Sequence, residues 1–115
     1  MPLIQVHLNT AEPGDLPAFQ NKLSEVIAAG VGKSEEYVMT RVASNEAITF
    51  AQSSEPAAYV EVKNIGTMSE EQTASMSESI CAAITTHANV PIDRIYIEFA
   101  DAQRHLWGWN GRTFA

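Results

Sequence analysis

The stretch AYVEVKNIG, at residues 58–66, alternates apolar and polar side chains and then breaks at a glycine. A period of two is typical of a β-strand with one buried face, so we predict a strand over residues 58–65. A helical pattern follows from about 69 to 87, and a second strand is predicted over 94–99, after the break at 89–91. The apolar side chains that share one face of this helix are Met76, Ile80 and Ile84.

The first half of the chain shows the same order of strand, helix and strand. Residues 3–8 are predicted to form a strand, 15–29 an amphipathic helix that glycines terminate, and 37–42 another strand. A short additional strand at 47–50 is a further candidate, before the turn signal at 53–56. The apolar residues at helical spacing are Leu16, Phe19, Leu23, Val26 and Ile27.

Two such units predict an α+β fold in which a four-stranded sheet carries both helices on one face. Each unit needs a right-handed crossover to bring its strands parallel. We expect one domain over residues 1–115, with self-association to cover the other face of the sheet, since no helix is left for it. The aromatic tail at 106–115 has a tight-turn signal at Asn110-Gly111, and we expect it to dock on its own domain or on a neighbouring subunit.

The composition excludes several classes of protein and site. Fourteen acidic and seven basic side chains give a net charge of −7, so we expect neither nucleic acid nor a membrane as a partner. Cys81 is the only cysteine, which excludes an internal disulfide and a CxxC zinc or redox motif. The three histidines lack the spacing of a metal site, and none is predicted. Without a secretory signal pattern at the start, the expected location is the cytoplasm.

Seven short motifs occur in an order that spans nearly the whole chain. They are Pro2, Gly32-Lys33, Ser53-Ser54-Glu55-Pro56, Asn64-Ile65-Gly66, Asp93-Arg94-Ile95-Tyr96-Ile97, Gly108-Trp109-Asn110 and Thr113-Phe114-Ala115. Together they resemble the macrophage migration inhibitory factor branch of the tautomerase superfamily. The family's fold is a doubled strand–helix–strand unit assembled as a homotrimer, so the resemblance agrees with the fold predicted from periodicity and extends it.

The resemblance implies an isomerase that needs no cofactor and moves a proton between carbon and oxygen in keto–enol pairs. Carried over by position, it makes Pro2 the general base and Lys33 the residue that binds the substrate carboxylate. It also implies a backbone contact at Ile65 and a pocket phenol at Tyr96. The expected substrates are small phenylpyruvate-like or dopachrome-like acids.

The sequence departs from the family pattern at several positions. Glu98 stands where the family has an asparagine, and its carboxylate would repel an acidic substrate, so the departure bears on substrate preference. Trp107 replaces a smaller pocket valine and is expected to narrow or reshape the mouth. The family's thiol–disulfide exchange needs cysteines at positions that are here Ala57 and Val60, so that activity is excluded.

The proposed base depends on the start of the chain. A proline nitrogen is a basic secondary amine only when it is the first residue, so Met1 must be removed before Pro2 can act. An ordinary α-amino group titrates near pH ~8. An apolar pocket and the ammonium group of Lys33 would both lower the pKa of this amine, leaving it neutral and able to accept a proton.

Each of these residues also has a purely structural interpretation. Pro2 can be the first residue of a strand, where no ladder N–H is lost, and Lys33 can interact with a helix dipole. Tyr96 and Ile65 can be packing residues of strands. Two other functions stay open beside the enzyme. One is a cytokine-like or host-modulating protein that acts on a protein receptor through its surface, and the other is a binding module without turnover.

Overall fold

The computed structural model describes residues 1–115 and contains one mixed four-stranded sheet with two helices. The sheet order is β2-β1-β3-β4, with β1 parallel to β2, β3 parallel to β4, and β1 antiparallel to β3. The main elements are β1 (Leu3–Leu8), α1 (Leu16–Val31), β2 (Met39–Ala43), β3 (Ala58–Ile65), α2 (Glu70–Ala88) and β4 (Ile95–Ala102). The predicted fold class of two strand–helix–strand units is therefore confirmed.

The core lies between the sheet and the two helices. Alternate side chains of the central strands point towards the helices, and the apolar faces of α1 and α2 cover them, which removes the largest apolar side chains from water. The large core side chains with no more than 1% exposure are Ile4, Val6, Leu8, Phe19, Leu23, Ile27, Val60, Val62, Met76, Ile80, Ile84 and Val90. The helical spacings that predicted α1 and α2 thus identified the faces that are buried.

Two predicted strand boundaries and one predicted strand were wrong. The second strand begins at Met39 rather than at residue 37, because the Ser34 side chain caps a short 3₁₀ turn over Glu35–Tyr37. Residues 47–50 form no strand, since Phe50 pairs only with Ser53 across a tight turn. The last strand of the sheet continues three residues beyond 99, because β3 supplies pairing partners as far as Ala102.

The other face of the sheet is not covered by either helix. It carries a polar row in which the Gln5 side chain accepts a hydrogen bond from Arg41 and donates one to Glu61 at 2.9 Å. Glu98 lies directly across from Glu61 on the paired strand. Burial and the neighbouring Glu61 carboxylate raise the pKa of Tyr59, whose hydroxyl donates to Glu61 at 3.1 Å.

No helix of this structure combines the length and the apolarity that crossing a bilayer requires.

After β4 the chain forms a short 3₁₀ turn and a small hairpin. The turn covers Arg104–Leu106, and the hairpin pairs β5 (Gly108–Trp109) with β6 (Arg112–Thr113). Asn110 and Gly111 both have positive φ, at 55° and 79°, which is the backbone of the tightest hairpin turns. The turn predicted from Asn110-Gly111 is confirmed.

The close approach of α1 to α2 depends on the absence of a side chain at Gly30. A Cβ atom at this position would lie 2.2 Å from Met76 Cγ and 2.5 Å from its sulfur. We expect Gly30→Ala to lower the free energy of unfolding by about 1–3 kcal/mol, because overpacking outweighs the helix propensity gained. Urea unfolding at one fixed protein concentration measures this.

The matched control is the same substitution in a Met76→Ala background, where the clash is absent. There Gly30→Ala should be neutral or stabilising by up to about 1 kcal/mol. An equal loss of stability in both backgrounds would contradict the role assigned to this contact.

Candidate active site

A cleft of about 280 Å³ opens where β3 ends and the chain begins. The antiparallel pairing of β1 with β3 puts Leu3 opposite Lys63, so the start of the chain lies beside the end of β3. The end of α1 and the C-terminal hairpin complete the walls. The lining residues are Met1, Lys33, Tyr37, Ile65, Arg104, Trp109 and Phe114.

Lys33 is placed by the way α1 ends. Gly32 adopts a left-handed backbone with φ of 69°, which a glycine tolerates without a steric cost, and Lys33 N–H then donates to the Ala28 carbonyl at 3.0 Å. The Lys33 ammonium donates to Asn64 Oδ1 and to the Ile65 carbonyl, both at 2.9 Å. An ammonium group has three protons, so one remains for a ligand.

Asn64 has a specific part in this arrangement. It is only 3% exposed and is the one polar residue in the buried set, where an unsatisfied amide would be costly. Its side-chain oxygen accepts the Lys33 hydrogen bond, which satisfies the amide oxygen and fixes the ammonium group at the edge of the cleft. Lys33 takes part in none of the three ion pairs of the structure, so its charge is not neutralised by a carboxylate.

The α-amino group of Met1 lies in the same cleft. Burial, and then hydrogen bonding and charge repulsion from Lys33, lower the pKa of this amine from 8.0 to about 6. The nitrogen of Pro2 is here an amide, since Met1 precedes it, and the proline ring is buried. The Pro2 carbonyl accepts a hydrogen bond from Met39 N–H at 3.0 Å, which ties the chain start to β2.

The apolar wall of the cleft comes from the C-terminal hairpin. The rings of Trp109 and Phe114 stack with centroids 6.1 Å apart and planes 11° from parallel. Phe114 N–H also donates to the carbonyls of Arg104 and Trp107, both at 3.2 Å. The tail therefore docks on its own chain, and Trp109 contributes to the cleft.

Arg104 is attached to the same aromatic wall. Its Nε donates to the Phe114 carbonyl at 2.8 Å, while Phe114 N–H donates back to the Arg104 carbonyl. This reciprocal pair holds the start of the side chain against the tail. The cleft is thus lined by two basic side chains, Arg104 and Lys33, and by no acidic residue.

The structure brings together some of the predicted site residues and separates others. Lys33 and Ile65 meet in the cleft, and Pro2 lies directly behind Met1.

Tyr96 does not line this cleft. It pairs with Tyr59 on β3, and Tyr59 precedes Ile65 by six residues, a distance of roughly 20 Å along the strand. The Tyr96 ring instead contacts Phe50, with centroids 4.8 Å apart, and is 66% exposed.

The two departures from the family pattern also lie away from the Lys33 cleft of the same chain. Glu98 faces Glu61 in the middle of the sheet. Trp107 lines an adjacent cleft of about 350 Å³ beside Met1 and Pro2, so it borders the chain start rather than the wall next to Lys33.

Sequence reasoning missed two residues of this arrangement. Asn64 was quoted only as part of a motif, although a polar residue at an inward position of an alternating strand is a signal of a buried hydrogen bond. Arg104 carried no signal, because its position in the cleft depends on the folded tail.

Comparisons with known proteins identify the family of this chain. The family model described as macrophage migration inhibitory factor (MIF) matches residues 1–115. The chain is 30% identical to macrophage migration inhibitory factor of Xenopus tropicalis over 115 residues, covering 100% of both chains. It is 32% identical to a homolog from Brugia malayi over 114 residues, covering 99% of each.

A solved structure of the same family has the same fold. The crystal structure of the macrophage migration inhibitory factor homologue from Prochlorococcus marinus superposes with a TM-score of 0.94 and 40% sequence identity, covering 98% of this chain and 99% of that one. The whole-chain match and these identities show that the protein belongs to the macrophage migration inhibitory factor family, and this membership supports a tautomerase or a cytokine-like function.

Proposed function

We propose that this protein is a keto–enol tautomerase that needs no cofactor and uses Pro2 as its general base after Met1 has been removed. The observation that carries the proposal is the amine at the chain start, whose pKa is lowered to about 6 in a cleft beside the Lys33 ammonium. A base that is neutral near working pH, next to a cation that can hold an acid, is what proton transfer in a keto acid requires.

Removal of Met1 moves the reactive amine to Pro2, the next residue of the chain. The Pro2 ring is buried behind Met1 and lines the adjacent cleft together with Leu3 and Trp107. The ring also restricts the direction of the nitrogen lone pair. We expect burial and the Lys33 ammonium to act on the secondary amine of Pro2 in the same direction as they act on the Met1 amine.

The proposed reaction balances without any co-reactant. The neutral Pro2 nitrogen accepts a proton from carbon 3 of the keto acid, and the electron pair of that C–H bond forms the carbon–carbon double bond. The carbonyl oxygen takes the negative charge, which the Lys33 ammonium stabilises together with the substrate carboxylate. Return of the proton from Pro2 to this oxygen gives the enol, and the reverse sequence gives the keto form. Phenylpyruvate-like and dopachrome-like acids suit a cleft with an aromatic wall.

We further propose a homotrimer, in which a neighbouring subunit supplies Tyr96 to the cleft. Its own strand holds Tyr96 roughly 20 Å from Ile65, and its exposed phenol leaves it accessible to another copy. The uncovered face of the sheet provides the surface for such an assembly. Glu98 lies two residues further on the same side of that strand, so it would approach the cleft with Tyr96 and influence substrate preference.

The direct test compares the mature protein with a Pro2→Gly variant. Mass spectrometry should show that Met1 is absent, and Pro2→Gly should lower kcat/KM for phenylpyruvate by about 100-fold or more, since general-base catalysis contributes 10²–10⁴-fold. Circular dichroism and sedimentation should match between the two proteins. Full turnover by a chain that retains Met1 would contradict the assignment of the base.

The pH dependence of kcat/KM should report the amine. Burial and Lys33 lower the pKa of the Met1 amine to about 6, and we expect the Pro2 amine that replaces it to be lowered in the same direction. A protonated base cannot accept a proton, so kcat/KM should rise with pH to a midpoint below 8 and then level off. Carbon-13 or nitrogen-15 NMR of labelled Pro2 should titrate with the same midpoint. A midpoint near 8, the value for an exposed amine, would show that the cleft does not act on the base.

Lys33→Met should affect both binding and the base. Loss of the ammonium group should lower kcat/KM by about 10- to 100-fold, mainly through KM, because a charged hydrogen bond to the carboxylate is lost. The acid limb should also move to higher pH, since one cause of the lowered pKa is removed while burial remains. The control is Lys22→Met, because Lys22 pairs with Glu25 on the surface of α1 and its loss should change neither quantity.

A further inference from the structure

We propose that Arg104 binds a second anionic group of the substrate, so that this site prefers a keto–enol acid with two separated carboxylates over one with a single carboxylate. The inference rests on the proposed tautomerase function and specifies its substrate class. Three observations carry it: the single hydrogen bond that holds the Arg104 side chain, the lack of a carboxylate partner for its guanidinium group, and the apolar wall that it shares with Lys33.

The exposed side chain of Arg104 is held at one atom, and the rest of its guanidinium group has no partner. Its Nε donates to the Phe114 carbonyl at 2.8 Å, and it makes no other hydrogen bond in the structure. A guanidinium has five N–H donors in a planar fork, so four of them remain. Two hydrogen bonds join Arg104 to the tail: from its Nε to the Phe114 carbonyl, and from Phe114 N–H to the Arg104 carbonyl. The two terminal NH₂ groups of the guanidinium are therefore available to bind a planar anion.

Most of the basic side chains of this acidic protein have partners outside the cleft. The chain has seven basic and fourteen acidic side chains, and four of the basic ones make such contacts. Arg94, for example, donates to four backbone carbonyls, whereas Arg104 and Lys33 line one cleft with no carboxylate within 4.0 Å. Four of the other five make these contacts: Lys22 with Glu25, Lys63 with Glu61, Arg41 with Gln5, and Arg94 with the carbonyls of Phe50, Ser53, Glu55 and Pro56. The fifth, Arg112, lies on the far strand of the hairpin and does not line the cleft of Lys33.

Two cations on different walls define the ligand. Lys33 is held by Asn64 and Ile65 at the end of β3, and Arg104 is held by Phe114 in the C-terminal tail. The surface shared with them is apolar and aromatic, made by Ile65 and the Trp109–Phe114 stack. A flat, conjugated body with a carboxylate at each end would contact both cations and the apolar wall at once. A monoanion leaves one of the two cations without a partner.

The experiment compares two substrates that differ by one carboxylate, phenylpyruvate and 4-carboxyphenylpyruvate. Enol formation is followed in the mature wild-type protein and in Arg104→Gln, Arg104→Lys and Arg112→Gln. The readout is the ratio of kcat/KM for the dianion to that for the monoanion. We expect this ratio to exceed one in the wild type and to fall about tenfold in Arg104→Gln, the loss typical of a charged hydrogen-bonded pair.

Arg104→Lys should restore part of the ratio, because it keeps the charge but not the planar fork. Arg112→Gln is the matched control for charge, since Arg112 lines a neighbouring cleft with Arg104 but does not line the cleft of Lys33. An equal fall of the ratio in Arg112→Gln would show a general field effect and overturn the assignment. Because Arg104 also fastens the tail, the thermal midpoint of each variant is measured alongside.

The possible failures are distinguishable. Turnover of both acids with a ratio of one or less in the wild type, or with a ratio unchanged in Arg104→Gln, overturns the inference and leaves the tautomerase function standing. If neither acid is turned over, the function is wrong, and binding decides the inference. Tighter calorimetric binding of 4-carboxyphenylpyruvate than of phenylpyruvate, lost in Arg104→Gln, then supports it, and equal binding overturns it.

Discussion

The ammonium group of Lys33, held at 2.9 Å by both Asn64 Oδ1 and the Ile65 carbonyl, is the interaction on which the site depends. A flexible lysine would gain little by entering a cleft, because ordering its long side chain has an entropic cost. Two acceptors at the end of a buried strand offset that cost and fix the position of the charge. Burial and, after it, this charge lower the pKa of the Met1 amine, and the ammonium group has one remaining proton to donate to an acid.

The fold places these groups together through strand direction. Because β1 runs antiparallel to β3, the first residues of the chain meet the last residues of β3, and Leu3 pairs with Lys63. The crossover from β1 to the parallel strand β2 brings the end of α1, with Gly32 and Lys33, to the same edge. A chain start usually frays, but here the bond from Met39 N–H to the Pro2 carbonyl holds it in the sheet. The scaffold therefore turns a terminal amine into a positioned one.

The charges of the molecule are unevenly distributed. The net charge is −7, yet the cleft is lined by Lys33 and Arg104 and by no carboxylate. In the middle of the uncovered face, Glu61 and Glu98 lie opposite one another on paired strands. Cations in a concave site with apolar walls attract anions more strongly than the same charges on an open surface, because solvent screens them less. An acidic protein can in this way still be selective for acidic ligands.

The alternating pattern at residues 58–65 and the helical spacings of Phe19, Leu23 and Ile27 predicted a strand, a helix and their buried faces, because burial of apolar side chains has the period of the element that carries it. The order of strand, helix and strand in both halves of the chain predicted the doubled unit, although not where every strand begins and ends. The motifs also identified Lys33. Tertiary structure alone decided that Arg104 lines the same cleft, since the tail reaches it only after the Asn110-Gly111 turn has formed, and that Tyr96 lies far from Lys33, since strand register sets that distance. Local patterns specify elements, whereas distances between elements arise from their packing.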